Sequence, residues 1–318
     1  MRSFVGLMAL AGIGFSAAAL MPTRPALAWG PEAHRTIALI ADDVLHKSDP
    51  AAQGKLTALL ATDKSERLTK TDMASEATWA DVLRDKSPEA RTATSAWHAT
   101  RLKPDNPDLA AACFNHKPLP AGYPASHGPQ DNCSVDKVVQ FAAELQNPGT
   151  SPHERLAALQ FLLNLVGDLN DPLLAIDHGD QGGACTALQV GGKPPVRLAA
   201  YWEETLVREV VGSNPASGGA RILASVPAAQ APKWIEGTPQ DWLRDTYEVA
   251  KNIVYAFPAG QAPEKYKFPA AKGEAGGCPE APLYKVGAEY ETKALAATKE
   301  QLAKAGLRLA RILREDLK

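Results

Sequence analysis

His34, His98, Asp81, Asp168, Arg84 and Asn164 are the side chains whose types and spacing fit metal-assisted chemistry. His34 opens a run in which Ala33, Ile37, Ile40, Ala41 and Val44 recur at helical spacing. Asp81 and Arg84 are three apart, which puts a carboxylate and a guanidinium on one helical face. His98 follows Trp97. Asn164 and Asp168 are four apart and stack on one side of a helix. Phe161, Leu162, Leu163, Leu165, Val166 and Leu169 surround them. A carboxylate in so apolar a run is buried, and a buried carboxylate needs a partner or a metal. The local sequence leaves both open, because an arginine or a turn near Pro172 would serve Asp168 as well as an ion. Taken singly, a histidine at a helix start is an ordinary structural residue, and an aspartate beside a tryptophan is an ordinary solvated one.

The elements that must position these groups read as helices. Beyond the first, over Glu32 to Leu45 with a continuation at Ala51 to Leu60, amphipathic stretches cover Val135 to Leu145, Ser151 to Gly167, Arg197 to Val211, Gln240 to Ala256 and Glu291 to Leu317. Ser134 and Ser151 stand as caps, with Pro152 in the first turn. Ala187 to Val190 is a short strand signal. Residues 103–130 and 256–282 are rich in Pro and Gly and read as loops. No internal repeat is visible, so the pattern gives one α-helical domain with long loops.

Arg2, the apolar run Phe4 to Leu20 and Ala26-Leu27-Ala28 have the order of a secretory signal peptide. Cleavage after Ala28 leaves Trp29 first, with a free amine; an uncleaved anchor is the competing reading. The whole chain has 34 basic and 36 acidic residues, a formal net charge of −2. Loss of Arg2 and Arg24 lowers it to −4, which excludes a broadly basic nucleic-acid surface. Four cysteines in an exported chain suggest two disulfides. Three pairings are open. Cys113–Cys133, closing a Pro/Gly-rich loop, with Cys185–Cys278 as a long-range bridge, is favoured.

In order, Trp29-Gly30-x-x-x-His34, Trp79-Ala80-Asp81-x-x-Arg84, His98, Leu165-Val166-Gly167-Asp168 with Pro172, and Gly182-Gly183 resemble the zinc-dependent single-strand nuclease family (nuclease S-one/P-one type), relatives of the bacterial zinc phospholipases C. Gln301 to Ala310 resembles its C-terminal helix, and Trp242 with Ala250 another of its helices. The resemblance spans nearly all of residues 29–318. It implies an all-α, single mainly helical domain of the phospholipase C and single-strand nuclease type, with three zinc ions in a cleft. One zinc would take the amine and carbonyl of Trp29, His34, and Asp168 shared with a second. The second would take Asp81, His98, Asp168 and a position that is Asn164 here, a weak ligand. The third would fall on Leu174, Ala199 and Glu203, around Trp202. A family histidine also falls on Asn170.

A leucine and an alanine cannot bind zinc, and Glu203 alone cannot replace three ligands. The resemblance therefore implies one or two zinc ions rather than three, with Mg or Mn conceivable at the weakened site. Asp177 and His178, a few residues past Leu174, are possible substitutes. Asp81 would orient or deprotonate the attacking water, and Arg84 would stabilise charge on the phosphorus. The expectation is a periplasmic or secreted monomer, with no membrane in its mature form. It would act as a metal-dependent endonuclease or phosphodiesterase on single-stranded DNA or RNA, nucleotides or another phosphoester. The alternatives are a catalytically inactive relative that keeps the fold and one metal for ligand or partner binding, and an exported structural protein whose matching residues only satisfy a polar core.

Overall fold

The first helix begins where the sequence offers a start: Pro31 in the first turn, whose missing N–H costs nothing there, and Glu32 against the positive helix end. It runs Pro31–Ser48, with His46 and Lys47 in its last turn. Its face of Ala33, Ile37, Ala38, Ile40, Ala41 and Leu45 is buried, and His34 lies on that buried side. The computed structural model describes residues 29–64, 68–258, 264–269 and 278–317. The leader expected over residues 1–28 lies outside them.

The central element is the helix Pro152–Leu169. Ser151 Oγ accepts the Glu154 N–H, as a cap should. From Ala158 to Leu169 every residue is buried. A helix buried on all sides sits at the centre of a fold, and here the first helix, Trp79–Lys86, Ser134–Gln146 and the C-terminal helix Ala288–Asp316 pack around it. Three polar residues survive in that apolar run: Gln160, Asn164 and Asp168, four apart. They form one stripe; Gln160 and Asn164 meet residues 76–81, and Asp168 meets a different part of the chain. Gln160 Nε2 donates to Glu76 Oε2 at 3.0 Å. Asn164 Nδ2 donates to Ala77 O and Asp81 Oδ2. Asp168 faces the two histidines.

Glycines permit the closest approaches. A Cβ on Gly306 would lie well inside contact of Ile40, so the first and last helices cross at that glycine. A Cβ on Gly167 would stand 2.8 Å from His34 Nδ1. The imidazole of His34 thus lies directly on the backbone of the central helix, beside Asp168.

The fold is mainly helical, as expected for the single-domain type, but not purely so. A small sheet has the order β2-β1-β4-β3, with β1 Ala187–Val190, β2 Val196–Arg197, β3 Glu264–Lys267 and β4 Glu280–Val286. β1 and β4 are parallel and pair Ala187 with Leu283; the outer pairs are antiparallel. The segment read as loop over 256–282 therefore carries β3 and the start of β4. Its alternation is too short, and too interrupted by Pro and Gly, to show without a partner strand. The disulfides are Cys113–Cys133 and Cys185–Cys278, the latter beside β1 and β4. Ser134 is not a cap. The preceding Cys133 occupies the capping position, and the Ser134 hydroxyl pairs with that of Thr100 at 2.7 Å. The helix expected over Arg197 to Val211 is present but contains a wide turn over Tyr201–Thr205. Helix Pro215–Ala224 escaped sequence reading because Gly218 and Gly219 break its pattern; they pack against Val211 and against Thr36 and Ile40. Among the described residues no helix is long and apolar enough to cross a membrane.

Candidate metal centre

The polar stripe of the central helix ends in Asp168, whose side chain is fully buried. His98 Nδ1 stands 2.6 Å from Asp168 Oδ2. His34 Nε2 is 3.4 Å from Asp168 Oδ1 and 3.7 Å from Asp81 Oδ2. The 3.4 Å approach is an electrostatic contact rather than an aligned hydrogen bond, since both His34 nitrogens lack a hydrogen-bond partner. Burial by itself would raise the Asp168 pKa. The two imidazoles outweigh it and hold the carboxyl well below the usual range. Burial likewise opposes a charge on His34, but Asp168, Asp81 and Asp171 raise its pKa on balance.

Asp81 marks the exposed rim. Arg84 Nη2 donates to its Oδ1 at 2.6 Å and Asn164 Nδ2 to its Oδ2 at 2.9 Å. The indole of Trp29 is part of the core. Its backbone nitrogen faces Asp171, a residue that sequence reading passed over. Asp171 is fully buried and accepts the Leu173 N–H at 2.9 Å. Burial pushes its carboxyl up to about 7, against the lowering effect of that bond, of His34 and of Trp29. Its place three residues after Asp168 and just before Pro172 was the available signal, but it reads equally as a turn residue.

Whether a metal fits is a question about unpaired donors. His34 Nδ1 and Nε2, His98 Nε2, Asn164 Oδ1 and Asp168 Oδ1 are buried without hydrogen-bond partners. Unpaired buried polar atoms are costly and rarely left so without an ion or water. Donation of Nδ1–H by His98 to Asp168 leaves Nε2 with its lone pair free, the usual arrangement of a histidine that binds metal. Around Asp168 the side-chain donors come in pairs, His34 with Asp168 and His98 with Asp168. A site on the His34 side needs donors from outside the side chains, and Trp29, whose backbone nitrogen faces Asp171, is the adjacent residue. Cys113, Cys133 and Asp136 do have ligand atoms within 4.8 Å of one another. Those sulfurs are joined to each other and are not thiolates.

The S1/P1 nuclease family pattern matches residues 29–318. The chain belongs to that family. It is 22% identical to Endonuclease 4 of Arabidopsis thaliana over 293 residues, 91% of this chain and 89% of that protein. It is 24% identical to Nuclease PA3 of a Penicillium species and to Nuclease P1 of Penicillium citrinum, each over 258 residues, 74% of this chain and 84% of the relative.

In this member of the family the positions where the resemblance implies a third zinc do not suit one. Leu174 and Ala199 are buried and have no donor atom. Glu203 is buried, and burial followed by repulsion from Asp171 and Glu204 raises its pKa well above the ordinary value, which disfavours the charged form a metal would need. His178 is exposed and stacks on Tyr255 with ring centroids 4.0 Å apart; it does not turn toward the Asp168 cluster, and Asp177 beside it is exposed. Asn170, the other lost histidine position, is structural: its Nδ2 donates to Val166 O and its Oδ1 accepts from Arg308. A cavity of about 720 Å³ lies elsewhere, between loop 116–125 and the helix Ser134–Gln146, and includes none of the cluster residues.

Proposed function

We propose that this chain is an exported hydrolase that cleaves phosphodiesters of single-stranded nucleic acid or a related phosphoester at the Asp168 cluster, with one or two metal ions rather than three. The observation that carries the reading is Asp168 itself. It is ionised and fully buried, with one imidazole donating to it and another in electrostatic contact, and unpaired donor atoms surround it. The candidate ligands are Trp29, His34, Asp81, His98 and Asp168, with Asn164 as a weak one. The nuclease names of the relatives and the family match support the same chemistry.

Zinc bound there would supply a Lewis acid for the phosphate and a water acidified toward neutral pH. The chain's own groups do the rest. Arg84, at the rim, presents a guanidinium suited to two phosphate oxygens. Asp81 sits next to it, partly exposed, and can take a proton from the attacking water. Asn164 fixes the Asp81 carboxylate through Oδ2, and His98 fixes Asp168. The formal net charge of −2 makes a general attraction to nucleic acid weak, so substrate binding rests on these local groups.

The test is purified Trp29–Lys318 chain with its metal content measured and its hydrolysis of a chromogenic phosphodiester and of single-stranded DNA assayed. Bound zinc of one or two equivalents, with turnover abolished in Asp168→Ala, is the expected result. A protein that holds metal but cleaves nothing with any added divalent ion is instead the inactive relative. That second reading draws on one observation: both Asp81 oxygens are already taken, by Arg84 and by Asn164.

A further inference from the structure

The region where the family resemblance puts a third zinc contains a positive charge that is not a metal. Arg101 lies three residues after His98. The Thr100 N–H bonds to Leu174 O at 3.2 Å and the Leu102 N–H to Ala175 O at 3.0 Å, so the strand-like segment carrying Arg101 runs alongside Leu174. Gly182 adopts φ +65°, and a Cβ there would stand 3.4 Å from Arg101 Nη2. The next residue, Gly183, accepts the Ala199 N–H on its carbonyl at 3.3 Å. Glu203 feels the Arg101 charge directly, as does Tyr255. A half-buried guanidinium therefore lies against Gly182, on a segment that runs beside Leu174, and its charge reaches Glu203.

That guanidinium is uncommitted. Its Nε is buried with no partner, and no hydrogen bond or ion pair joins Arg101 to a described residue. None of the nearby carboxyl groups hydrogen-bonds to it, although Asp171 Oδ2 and Glu203 Oε2 are themselves buried without a partner. Asp180 accepts from Tyr255, Thr186 and Gly183, and Asp171 accepts from Leu173. A buried arginine nitrogen without an acceptor is costly, and the planar fork of donors matches the paired oxygens of a phosphate or a carboxylate. Arg101 is also permanently charged, so it needs no ligands to hold its charge in place.

We propose that Arg101 binds the phosphate of the substrate and supplies, at the donor-poor third position, the positive charge that a metal cannot be held there to give. This rests on the phosphodiesterase reading for its catalytic half and on the structure alone for phosphate binding. Arg101 donates hydrogen bonds to non-bridging oxygens and exchanges no proton.

The experiment uses the metal-loaded Trp29–Lys318 protein and two readouts, calorimetric binding of inorganic phosphate and turnover of a chromogenic phosphodiester. Arg101→Ala is expected to weaken phosphate binding at least about tenfold and to lower kcat/KM by about 10²–10³, the usual effect of deleting one donor to a developing negative charge. Most of the loss should fall on kcat. Metal content and unfolding temperature should match the parent, Arg101→Lys should recover part of the rate, and guanidinium ion added to Arg101→Ala should recover part of it too. An Arg101→Ala protein that binds phosphate and turns over as the parent does overturns the proposal, as does a parent that binds no phosphate. If no form turns over but phosphate binding still depends on Arg101, the phosphodiesterase reading fails and the phosphate site stands. Should the alanine variant fold poorly, Arg101→Gln, which keeps the length and polarity, carries the same comparison.

Discussion

At the scale of single residues, the cluster depends on small distances between groups that are far apart in the chain. Gly167 shows this most directly. Its missing Cβ makes room for His34 Nδ1, and a methyl at 2.8 Å must displace either the ring or the helix. Gly167→Ala should cost about 1–3 kcal/mol as an overpacked core does, and it should lower metal content, measurable by emission spectroscopy on the purified protein. Unchanged metal and unchanged stability would show that His34 is free to move aside. Trp29 gives a second prediction. One extra residue before it, or acetylation of its amine, removes a donor next to Asp171 and His34, so metal should be lost. Since bound metal stabilises by about 3–4 kcal/mol at 100–1,000 times its Kd, zinc should raise the unfolding temperature of a chain that begins at Trp29 and fail to raise that of the extended one.

At the scale of elements, the central helix imposes its stripe on everything around it. Gln160, Asn164 and Asp168 project from one face; residues 76–81 supply partners to the first two, and His98 and His34 face the third. The upper end of the stripe is pH-sensitive. Glu76 is buried, and burial pushes its carboxyl up to about 7, although Gln160 and Thr69 donate to it. The folded protein therefore keeps a proton on Glu76 at pH values where the unfolded chain, near 4.5, has released it. Stability contributed by this group is complete below the unfolded value and declines as pH rises from about 4.5 through 7. Glu76→Gln should flatten that decline and be more stable than the parent above pH 7. Denaturant unfolding at pH 5 and pH 8 checks it, and equal differences at both pH values would count against it.

At the scale of the whole molecule, helices 31–48 and 288–316 bracket the core, and the sheet with its disulfide ties the later half together. The two disulfides close loops of different size, with sequence separations of 20 and 93. Chain entropy assigns about 3 kcal/mol to the shorter and about 4–5 kcal/mol to the longer. Replacing Cys185 and Cys278 by alanine should thus destabilise more than replacing Cys113 and Cys133. The reverse order in denaturant midpoints would mean that the loop between β1 and β4 is already restrained in the unfolded chain.

Much of this was legible in the residues. Helical periodicity found the long helices, because their apolar faces repeat at a spacing that survives without knowledge of a partner. The isolation of Asp168 in an apolar run marked a buried carboxylate, since nothing but a partner makes such burial tolerable. The order of Trp29, His34, Asp81, Arg84, His98 and Asp168 pointed to one family. What the sequence could not contain was proximity. β3 and β4 are strands only because they pair with each other, and β1 with β4, across a long separation. Asp171 carried no distinguishing signal in the sequence; the fold brings Trp29 against it. Arg101 carried no signal in the sequence; only the packing sets it against Gly182 and within electrostatic reach of Glu203. Periodicity and burial are properties of neighbours in the chain, whereas a site is made by side chains whose meeting is decided only when the core packs.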